Sequence, residues 1–372
     1  MSCRQDEKED KMKNIYFLGL IIVLCFSLAE ASPACTDFQV KAQDGTVVIG
    51  RSMEFALGID SDVVVIPRSD KTMVSMTPDG KKGISWKPKY GYLGVDSFGE
   101  KAAILDGMNE AGLSVGFLWF TESKYQEPIG DWLAVTDLAP WILGNFSSVD
   151  EVKRALPKLN VVGVYVPQLK RVPGFHVAVH DARGKNIVIE FIDGKINIYD
   201  NPIGVMTNKP TFDWQMTNLR NYVNLDPYDR ESVKIAGIEI NATGSGTGWL
   251  GMPGDWSPPS RLVRTVHIVH SADPARDASG AVNLAEHVLN AVDIPQGVVK
   301  AKGPVNKDMI DYTQWIVIKD LTNKVLYFRS YQDLALKKVD MKKISFAPGA
   351  EMKTLHIEDG SRNIIDLTGR LL

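Results

Sequence analysis

The stretch CTDFQVKAQDGTVVIGRSMEF, residues 35–55, carries the strongest structural signal in the chain. Apolar and polar residues alternate on both sides of Asp44-Gly45, a pair that is typical of tight hairpin turns. The pattern predicts a β-hairpin whose two-residue loop is Asp44-Gly45. In that register Cys35 lies opposite Glu54. Arg51 then points to the other face of the hairpin unless a bulge intervenes, because successive residues of a strand alternate between faces.

The segment upstream of this hairpin is apolar over residues 15–28, with Lys11 and Lys13 before it and small residues after it. As a helix it would be about 21 Å long, shorter than the ~30 Å hydrocarbon core of a bilayer. A basic start, a short apolar run and a small-residue exit are typical of a cleavable secretory signal. The segment therefore predicts a periplasmic or secreted protein, with an uncleaved anchor helix as the alternative. Met12 is a more usual start than Met1.

The exit of this signal offers two cleavage points. Small residues are needed at the third and first positions before the cut, which allows cleavage after Ala31 or after Ala34. The second choice removes residues 1–34, together with Cys3 and Cys25, and leaves Cys35 as the first residue and only cysteine of the mature chain. An exported protein meets oxidising surroundings, yet this thiol would have no partner for a disulfide.

Three explanations for Cys35 remain open at this point. Lipidation is one, although the residue three positions earlier is Ser32 rather than an aliphatic residue. A buried structural cysteine is the second. The third is an N-terminal nucleophile whose own α-amino group is the general base. An α-amine has a pKa of about 7.7–8.0 and a thiol about 8.5, so proton transfer between them is nearly balanced at neutral pH. Arg51 beside the sulfur would stabilise the thiolate. The alternative for Arg51 and Glu54 is a surface ion pair, which would contribute little to the stability of the protein.

Composition excludes several other classes of protein. The chain has 372 residues, of which 44% are hydrophobic and 23% charged, as in ordinary globular proteins. Lys plus Arg (42) nearly balance Asp plus Glu (45), which argues against a nucleic-acid binder with a broad basic face. Three cysteines and six histidines disfavour a multi-ligand metal centre. We expect no metal and no cofactor.

Three motifs along the chain resemble those of a known family. Cys35-Thr36 is followed by GRSMEF at residues 50–55, by VMTNKPTFDWQ at residues 205–215 and by GMPGDWSPPSR at residues 251–261. In this order they are similar to the choloylglycine hydrolase family, which includes bile salt hydrolases and penicillin V acylases. These are amidases with an N-terminal nucleophile. The resemblance covers most of residues 35–372 and implies one catalytic domain there.

The resemblance implies a role for each of several residues. Cys35 would be the nucleophile and its α-amine the base, with Arg51 beside the thiol. Asn208 would donate its side-chain amide to the oxyanion, and Arg261 would help to hold the charge balance of the site. Glu54 stands where the family usually has an aspartate that contacts the N-terminal amine. The extra methylene of glutamate moves that charge, so the contact itself is left open.

A fourth similarity concerns the substrate pocket. Residues 106–113, DGMNEAGL, resemble a family segment and place Trp119 where bile salt hydrolases carry asparagine and some penicillin V acylases carry tyrosine. The backbone N–H of Trp119 would then be the second oxyanion donor, since a backbone donor survives a change of side chain. Its indole, with Phe120, would form an aromatic wall of the pocket. Without the resemblance, core packing on an alternating strand would be the simpler interpretation of Trp119.

The remaining sequence predicts an α+β fold. The resemblance implies a four-layer αββα sandwich with two antiparallel sheets, the fold of N-terminal-nucleophile hydrolases. The pattern predicts a helix at residues 262–271 capped by Ser260 and another at residues 281–292. It predicts strands at residues 114–120, 176–180, 186–192, 196–199, 313–318 and 324–331.

Other constellations are weaker. His267 and His270 have helical spacing but no evident third ligand for a metal. His176 and His180 fall on one strand face, where structural hydrogen bonds are the simplest role, and neither has the sequence context of a cysteine protease histidine. The glycine-rich residues 243–248 lack the lysine of a phosphate loop, and we expect a mobile loop at the rim of the site.

The sequence therefore predicts an exported hydrolase of linear amides that acts on a small-molecule N-acyl amide. Phenoxyacetyl penicillin, N-acyl homoserine lactones and conjugated bile salts are the candidate substrates within the family's class. The aromatic region that includes Trp119, Phe120, Trp132 and Trp141 favours an aromatic or fatty acyl chain over a steroid. The alternative function, from a different class of protein, is that of a non-catalytic, membrane-tethered binding protein. We expect no nucleic-acid partner and no stable membrane insertion after signal cleavage, and a homo-oligomer is left open.

Overall fold

The computed structural model describes residues 34–300, 309–360 and 362–370. The predicted signal segment and its first cleavage point lie outside the described residues. Among the helices that are described, none is long and apolar enough to cross a membrane.

A seven-stranded antiparallel sheet, the first sheet, contains the hairpin of residues 35–55. With strands numbered along the chain, its members are β1 (Cys35–Lys41), β2 (Val47–Phe55), β14 (Val205–Met206), β17 (Val299–Lys300), β18 (Ile310–Asp320), β19 (Val325–Ser330) and β20 (Lys337–Asp340). Their order across the sheet is β14-β1-β2-β18-β19-β20, with β17 paired to β18. The predicted strand pair near the C-terminus joins this sheet, so β18 becomes the neighbour of β2.

An eight-stranded antiparallel sheet, the second sheet, packs against the first. Its members are β3 (Asp62–Ile66), β6 (Tyr92–Val95), β7 (Asp106–Asn109), β8 (Leu113–Trp119), β11 (Phe175–Asp181), β12 (Asn186–Ile192), β13 (Lys195–Asp200) and β21 (Lys353–His356). Their order is β13-β12-β11-β8-β7-β6-β3-β21, so the hairpins that the sequence predicts between residues 175 and 200 form one side of the sheet.

The α-helices of the described residues are α1 (Leu138–Asn145), α2 (Val149–Ala155), α3 (Phe212–Asn218), α4 (Pro258–Ser271) and α5 (Ala278–Asn290). Helices α1 and α2 cover the outer face of the second sheet, and α4 and α5 cover that of the first. One apolar cluster lies between the sheets, a second between the second sheet and α1 and α2, and a third between the first sheet and α4 and α5. The predicted αββα sandwich is therefore confirmed. The short strand pairs outside the two sheets are β4 (Met73–Met76) with β5 (Lys82–Trp86), β9 (Trp132–Ala134) with β10 (Asn160–Val162), and β15 (Val233–Ile235) with β16 (Ile238–Ile240).

The start of α4 differs from the prediction. The helix begins at Pro258 with Ser257 as its N-cap residue, three positions before the predicted cap Ser260. Proline is well tolerated in the first turn, because its missing N–H has no intrahelical acceptor there. This earlier start matters for the site, since it puts Arg261 in the first turn of the helix and directs it toward β1.

The register of the first hairpin also differs from the prediction. Cys35 pairs with Met53, and Asp37 pairs with Arg51. The loop has one more residue than Asp44-Gly45, with Gly45 at φ +89°, a conformation that suits a three-residue turn ending in a left-handed glycine. A shift of one residue exchanges the faces of a strand. Cys35 and Arg51 therefore share the face between the two sheets, and Glu54 points to the helix side.

Candidate active site

Cys35 is the first residue of β1, and its side chain is almost fully buried between the sheets, at 2% exposure. Its Sγ lies 3.8 Å from Sδ of Met53 and 3.9 Å from the backbone oxygen of Glu54. Its sulfur forms part of the wall of a mostly apolar pocket. The residue is thus buried by neighbouring chain, yet it borders a cavity.

Asn208 connects Cys35 to the rest of the site. Its Oδ1 accepts hydrogen bonds from the backbone nitrogen of Cys35 and from Nη2 of Arg261, both at 2.7 Å. Its Nδ2 donates to the backbone oxygen of Trp119 at 2.8 Å. These partners fix the orientation of the amide group, because its oxygen faces donors and its nitrogen faces an acceptor. One hydrogen of Nδ2 remains for a further acceptor.

Arg261 anchors the start of β1 from the helix side. Its Nη1 donates to the backbone oxygen of Cys35 at 2.6 Å and to Oγ1 of Thr36 at 2.7 Å. Its Nε donates to the backbone oxygen of Trp256 at 3.0 Å. The guanidinium is wholly buried. Its planar set of donors therefore holds the carbonyl of Cys35 and the amide oxygen of Asn208 in one fixed geometry.

Arg51 lies on the same face of the first sheet as Cys35 and is also wholly buried. Its Nη2 donates to the backbone oxygen of Phe117, and its Nη1 lies 3.4 Å from Oδ2 of Asp106. Its guanidinium stacks over the ring of Trp315 at 5.1 Å. The charge of Arg51 thus lies between the sheets, where its effect on neighbouring groups is weakly screened.

The electrostatics of the thiol follow from these neighbours. Burial is the largest influence and raises the pKa of Cys35 above its ordinary value. The charge of Arg51 lowers this pKa, the carboxylate of Glu54 raises it, and backbone hydrogen bonds from Glu54 and Trp119 lower it. The backbone of Trp119 is thus among the groups that influence the sulfur, as a backbone oxyanion donor would be.

Glu54 is buried on the helix side of β2. Its Oε1 accepts a hydrogen bond from Oγ1 of Thr313 at 2.7 Å, while its Oε2 has no hydrogen-bond partner among the described residues. Burial raises the pKa of Glu54 to about 7, against the lowering effect of Arg261. No hydrogen bond joins its carboxylate to the backbone nitrogen of Cys35 in the part of the chain described. The structure thus brings Glu54 near the site but not into the contact that the family's aspartate makes.

The pocket beside Cys35 is lined by Trp119, as the sequence predicts, but not by Phe120. Trp119 packs against Phe55 and Phe175, with ring centroids 5.4 and 5.7 Å apart. Phe120 is fully buried behind the pocket and stacks on His176 at 4.8 Å. The predicted position of Phe120 in the pocket is wrong because residues 119 and 120 point to opposite sides of the end of β8.

Several other aromatic and polar groups fall outside the pocket. Trp132 and Trp141 belong to the apolar cluster under α1 and α2 and are not among the residues that line the pocket. His176 and His180 are buried and hydrogen-bonded, to Thr207 and Asp37 respectively, in agreement with structural roles. Residues 243–248 are not among those that line the pocket, so the expected rim loop lies elsewhere.

Sequence reasoning missed most of the pocket. Its apolar walls come from loops and strand ends that are far apart in the chain, including Met53, Phe55, Ile59, Ile104 and Phe117. Alternation in β2 could have indicated Met53 and Phe55, which share a face with Cys35 in the observed register. The loop residues carry no comparable periodic signal.

Comparison with known proteins agrees with this geometry. Residues 35–364 match the model of the choloylglycine hydrolase family of linear amide C–N hydrolases. The chain is 32% identical to a bile salt hydrolase/transferase of Clostridium perfringens, over 86% of this chain and 96% of that protein. It is 28% identical to a penicillin V acylase of Pectobacterium atrosepticum, over 81% of this chain and 78% of that protein. A crystal structure of a mutant conjugated bile acid hydrolase from Clostridium perfringens superimposes with a TM-score of 0.78 at 30% identity, covering 90% of this chain and 99% of that one.

The fold and the match together define the class of protein as a hydrolase of carbon–nitrogen bonds other than peptide bonds, in linear amides. The chain belongs to the choloylglycine hydrolase family. The resemblance noted in its sequence is confirmed, as is the prediction that it is an enzyme acting on a small amide.

Proposed function

We propose that this protein is an exported amidase that cleaves small N-acyl amides with Cys35, freed as the N-terminal residue, as its nucleophile. The observation that carries the proposal is the arrangement around Cys35. Its sulfur opens on an apolar pocket, while its backbone nitrogen is held 2.7 Å from Oδ1 of Asn208. Once the peptide bond to Ala34 is cut, that nitrogen is an amine attached to the same residue as the thiol.

The reaction would start with transfer of the thiol proton to the α-amine. These two groups have similar pKa values in water, about 8.5 and 7.7–8.0. The burial that raises the pKa of Cys35 favours a neutral thiol at rest, so the proton leaves as the sulfur attacks the amide carbon. Asn208 holds the amine in place through its oxygen, and Arg51 stabilises negative charge on the sulfur.

Attack on the carbonyl carbon moves the C=O electron pair onto the oxygen. The backbone N–H of Trp119 and the second hydrogen of Nδ2 of Asn208 are the donors available for that oxyanion. The α-ammonium then gives its proton to the leaving nitrogen, and the C–N bond breaks. Water adds to the remaining thioester with the amine as base, which releases the acid and restores the thiol.

The lining of the pocket favours an apolar acyl group. Trp119, Phe55 and Phe175 form an aromatic wall, which supports an aromatic or fatty acyl chain as in penicillin V. A conjugated bile salt or an N-acyl homoserine lactone is the alternative. Fewer aromatic side chains line the pocket than the sequence predicts, since Phe120, Trp132 and Trp141 do not reach it.

The proposal includes export. Residues 1–34 would be a cleaved signal, residues 35–372 one catalytic domain, and the mature protein periplasmic or secreted. The family match begins at residue 35, where this cleavage would leave the new terminus.

The test is a substrate panel with the released amine as readout. Purified exported protein is incubated with penicillin V, glycocholate and an N-acyl homoserine lactone, in parallel with the Cys35→Ser variant. Turnover of at least one substrate by the native protein alone supports the proposal. Equal turnover by both proteins removes Cys35 from the mechanism. Intact mass completes the test, because acyl chains attached to Cys35 would indicate the rival, a membrane-tethered binding protein.

A further inference from the structure

Five ionisable side chains meet between the two sheets, next to Cys35. We call Arg51, Asp106, Lys319, Asp37 and His180 the inter-sheet charge cluster. Each is at most 1% exposed. Arg51, Asp37 and Lys319 come from the first sheet, Asp106 and His180 from the second, and every ion pair of the cluster crosses between the sheets. The surrounding side chains are otherwise those of an apolar core.

Lys319 and Arg51 share one carboxylate very unequally. Nζ of Lys319 lies 2.8 Å from both oxygens of Asp106. Nη1 of Arg51 lies 3.4 Å from only one of them, outside the usual range of a charge-assisted hydrogen bond. Arg51 instead directs its Nη2 to the backbone oxygen of Phe117. Asp106 is therefore satisfied mainly by Lys319.

The second pair of the cluster is separate. Nε2 of His180 lies 2.6 Å from Oδ1 of Asp37, and Oδ2 of Asp37 has no hydrogen-bond partner among the described residues. The charges of Lys319 and Arg51 both help to hold the pKa of Asp37 below its usual range, together with His180 and against burial. Apart from His180, the cluster has two carboxylates and two cations.

Burying so many charges is costly, and apolar residues of similar volume often serve stability equally well or better. The cluster lies next to the one thiol of residues 35–372, which points to a role in the chemistry of that thiol. We propose that Lys319 and Asp106 are positioning residues: Lys319 occupies both oxygens of Asp106, so the charge of Arg51 stays available to a thiolate of Cys35 on the same face of the first sheet. This inference rests on the proposed role of Cys35 as nucleophile.

Removal of Lys319 and removal of the charge of Asp106 should have opposite effects on the stability of the Cys35 thiolate. Without Lys319, Asp106 would pair fully with Arg51, and the stabilisation of the Cys35 thiolate would weaken. Without the charge of Asp106, neither Arg51 nor Lys319 would have a carboxylate partner on the second sheet, and the charge of Arg51 would stabilise the thiolate further. A merely structural role would instead make both changes destabilising, with no opposite effects on the thiol.

The experiment measures how fast iodoacetamide alkylates Cys35 as a function of pH, in protein that begins at Cys35 and so has a single cysteine. The variants are Lys319→Met, Asp106→Asn and the two combined. The other titratable or charged groups near the thiol, which are its own α-amine, Glu54 and Arg261, are unchanged in all of them. Val188→Ala, a buried apolar truncation on the second sheet, is the control for a loosened core.

We expect Lys319→Met to move the midpoint of the alkylation profile up by roughly 0.5–1 pH unit, and Asp106→Asn to move it down by a similar amount. At a pH below the midpoint these shifts correspond to about a three- to tenfold slower and faster reaction. The combined variant should return close to the native midpoint, and Val188→Ala should keep it.

Shifts of the same sign in both single variants, or no shift in either, would overturn the inference. If Lys319→Met does not fold, Asp106→Asn and the combined variant still decide the question, since only the first should shift downward. The assay uses no substrate. A failure of the proposed function, seen as full amidase activity in Cys35→Ser, is therefore distinguishable from a failure of this inference.

Discussion

Oδ1 of Asn208 lies 2.7 Å from the backbone nitrogen of Cys35, although the two residues are 173 positions apart in the chain. The contact forms because β14, which ends at Met206, pairs with β1 in the first sheet. The side chain of Asn208 thereby holds the nitrogen that would act as base and accepts a hydrogen bond from Arg261. It also keeps one hydrogen available for the oxyanion. The first expectation concerns this amide group.

Replacing Asn208 by aspartate should separate its two functions. In Asn208→Asp the introduced carboxylate would still accept hydrogen bonds from the backbone nitrogen of Cys35 and from Arg261. It would have no hydrogen to donate to an oxyanion. We expect turnover to fall by about 10²–10³-fold. The melting temperature should also fall, because the carboxylate cannot donate to the backbone oxygen of Trp119.

Asn208→Ala is the matched comparison for that variant. It should lose turnover equally, and it also leaves the Cys35 nitrogen and Arg261 without their shared acceptor, at a cost in stability of about 1–3 kcal/mol for each buried group left without a partner. Steady-state rates and thermal melts of both variants check this. Native turnover in Asn208→Asp would move the oxyanion role to another residue.

The nucleophile itself gives the second expectation. Cys35→Ser should fold normally, since the two side chains are nearly isosteric, and should lose most of its amidase activity. A hydroxyl is a far weaker acid than a thiol, so the α-amine cannot deprotonate it comparably. Circular dichroism supplies the folding control, and the rate of amine release supplies the readout. A serine variant with native turnover contradicts the mechanism.

The third expectation concerns the pH dependence of stability. Burial raises the pKa of Glu54 to about 7 in the folded chain, against about 4.3 for an unfolded glutamate. The unfolded chain then releases this proton at lower pH than the folded chain. The contribution of Glu54 to stability is fully present below about pH 4.3 and is lost as the pH rises through about 7.

The variant Glu54→Gln isolates that contribution. The introduced amide would keep the shape of the side chain and the hydrogen bond from Thr313 but could not ionise. Melting temperatures between about pH 4.5 and 7.5, on protein that still carries Ala34, should decline less with rising pH in Glu54→Gln than in the native chain. The exposed Glu122→Gln is the control and should follow the native curve. Parallel curves for all three proteins would show that Glu54 ionises normally.

The pocket gives the fourth expectation. Ala103 lines the pocket beside Cys35, and Ala103→Trp would fill part of it. We expect KM for an aromatic N-acyl amide to rise at least about tenfold, since one bulky side chain removes space that the acyl group needs. Alkylation of Cys35 by the much smaller iodoacetamide should continue at the native rate. An unchanged KM would place the acyl group outside this pocket.

The sequence predicts those parts of the fold that depend on interactions between residues close together in the chain. Strands with strong alternation, such as those at residues 175–192, are predicted within one or two positions. The first hairpin is predicted one residue out of register, because Asp44-Gly45 indicates a turn but does not determine its length. That single residue moves Arg51 to the face of Cys35, the position that its proposed role requires.

Contacts between residues far apart in the chain also limit what the sequence predicts of the active site. The motifs locate Asn208 and Arg261, but their shared contacts arise from the pairing of β14 with β1 and from the direction of α4, which no local pattern encodes. Lys319 stands where alternation in β18 predicts an apolar residue facing the second sheet. Its partner Asp106 lies 213 positions away, so only the packed sheets reveal the pair.

If the α-amine of Cys35 is the general base, turnover must stop when that nitrogen is held in a peptide bond, and a comparison of two rates decides this. Ala34 is 4% exposed, so an uncut chain fills the space beside the nitrogen of Cys35 and converts that nitrogen into an amide without basicity. One protein is expressed as Met-Cys35 and trimmed to Cys35, and the other is expressed with Ala34 retained as its first residue. Intact mass confirms both termini, and both are assayed on the same amide. We expect turnover from the first and none above background from the second. Equal rates from the two would show that the α-amine is not the base and would direct attention to a side-chain base.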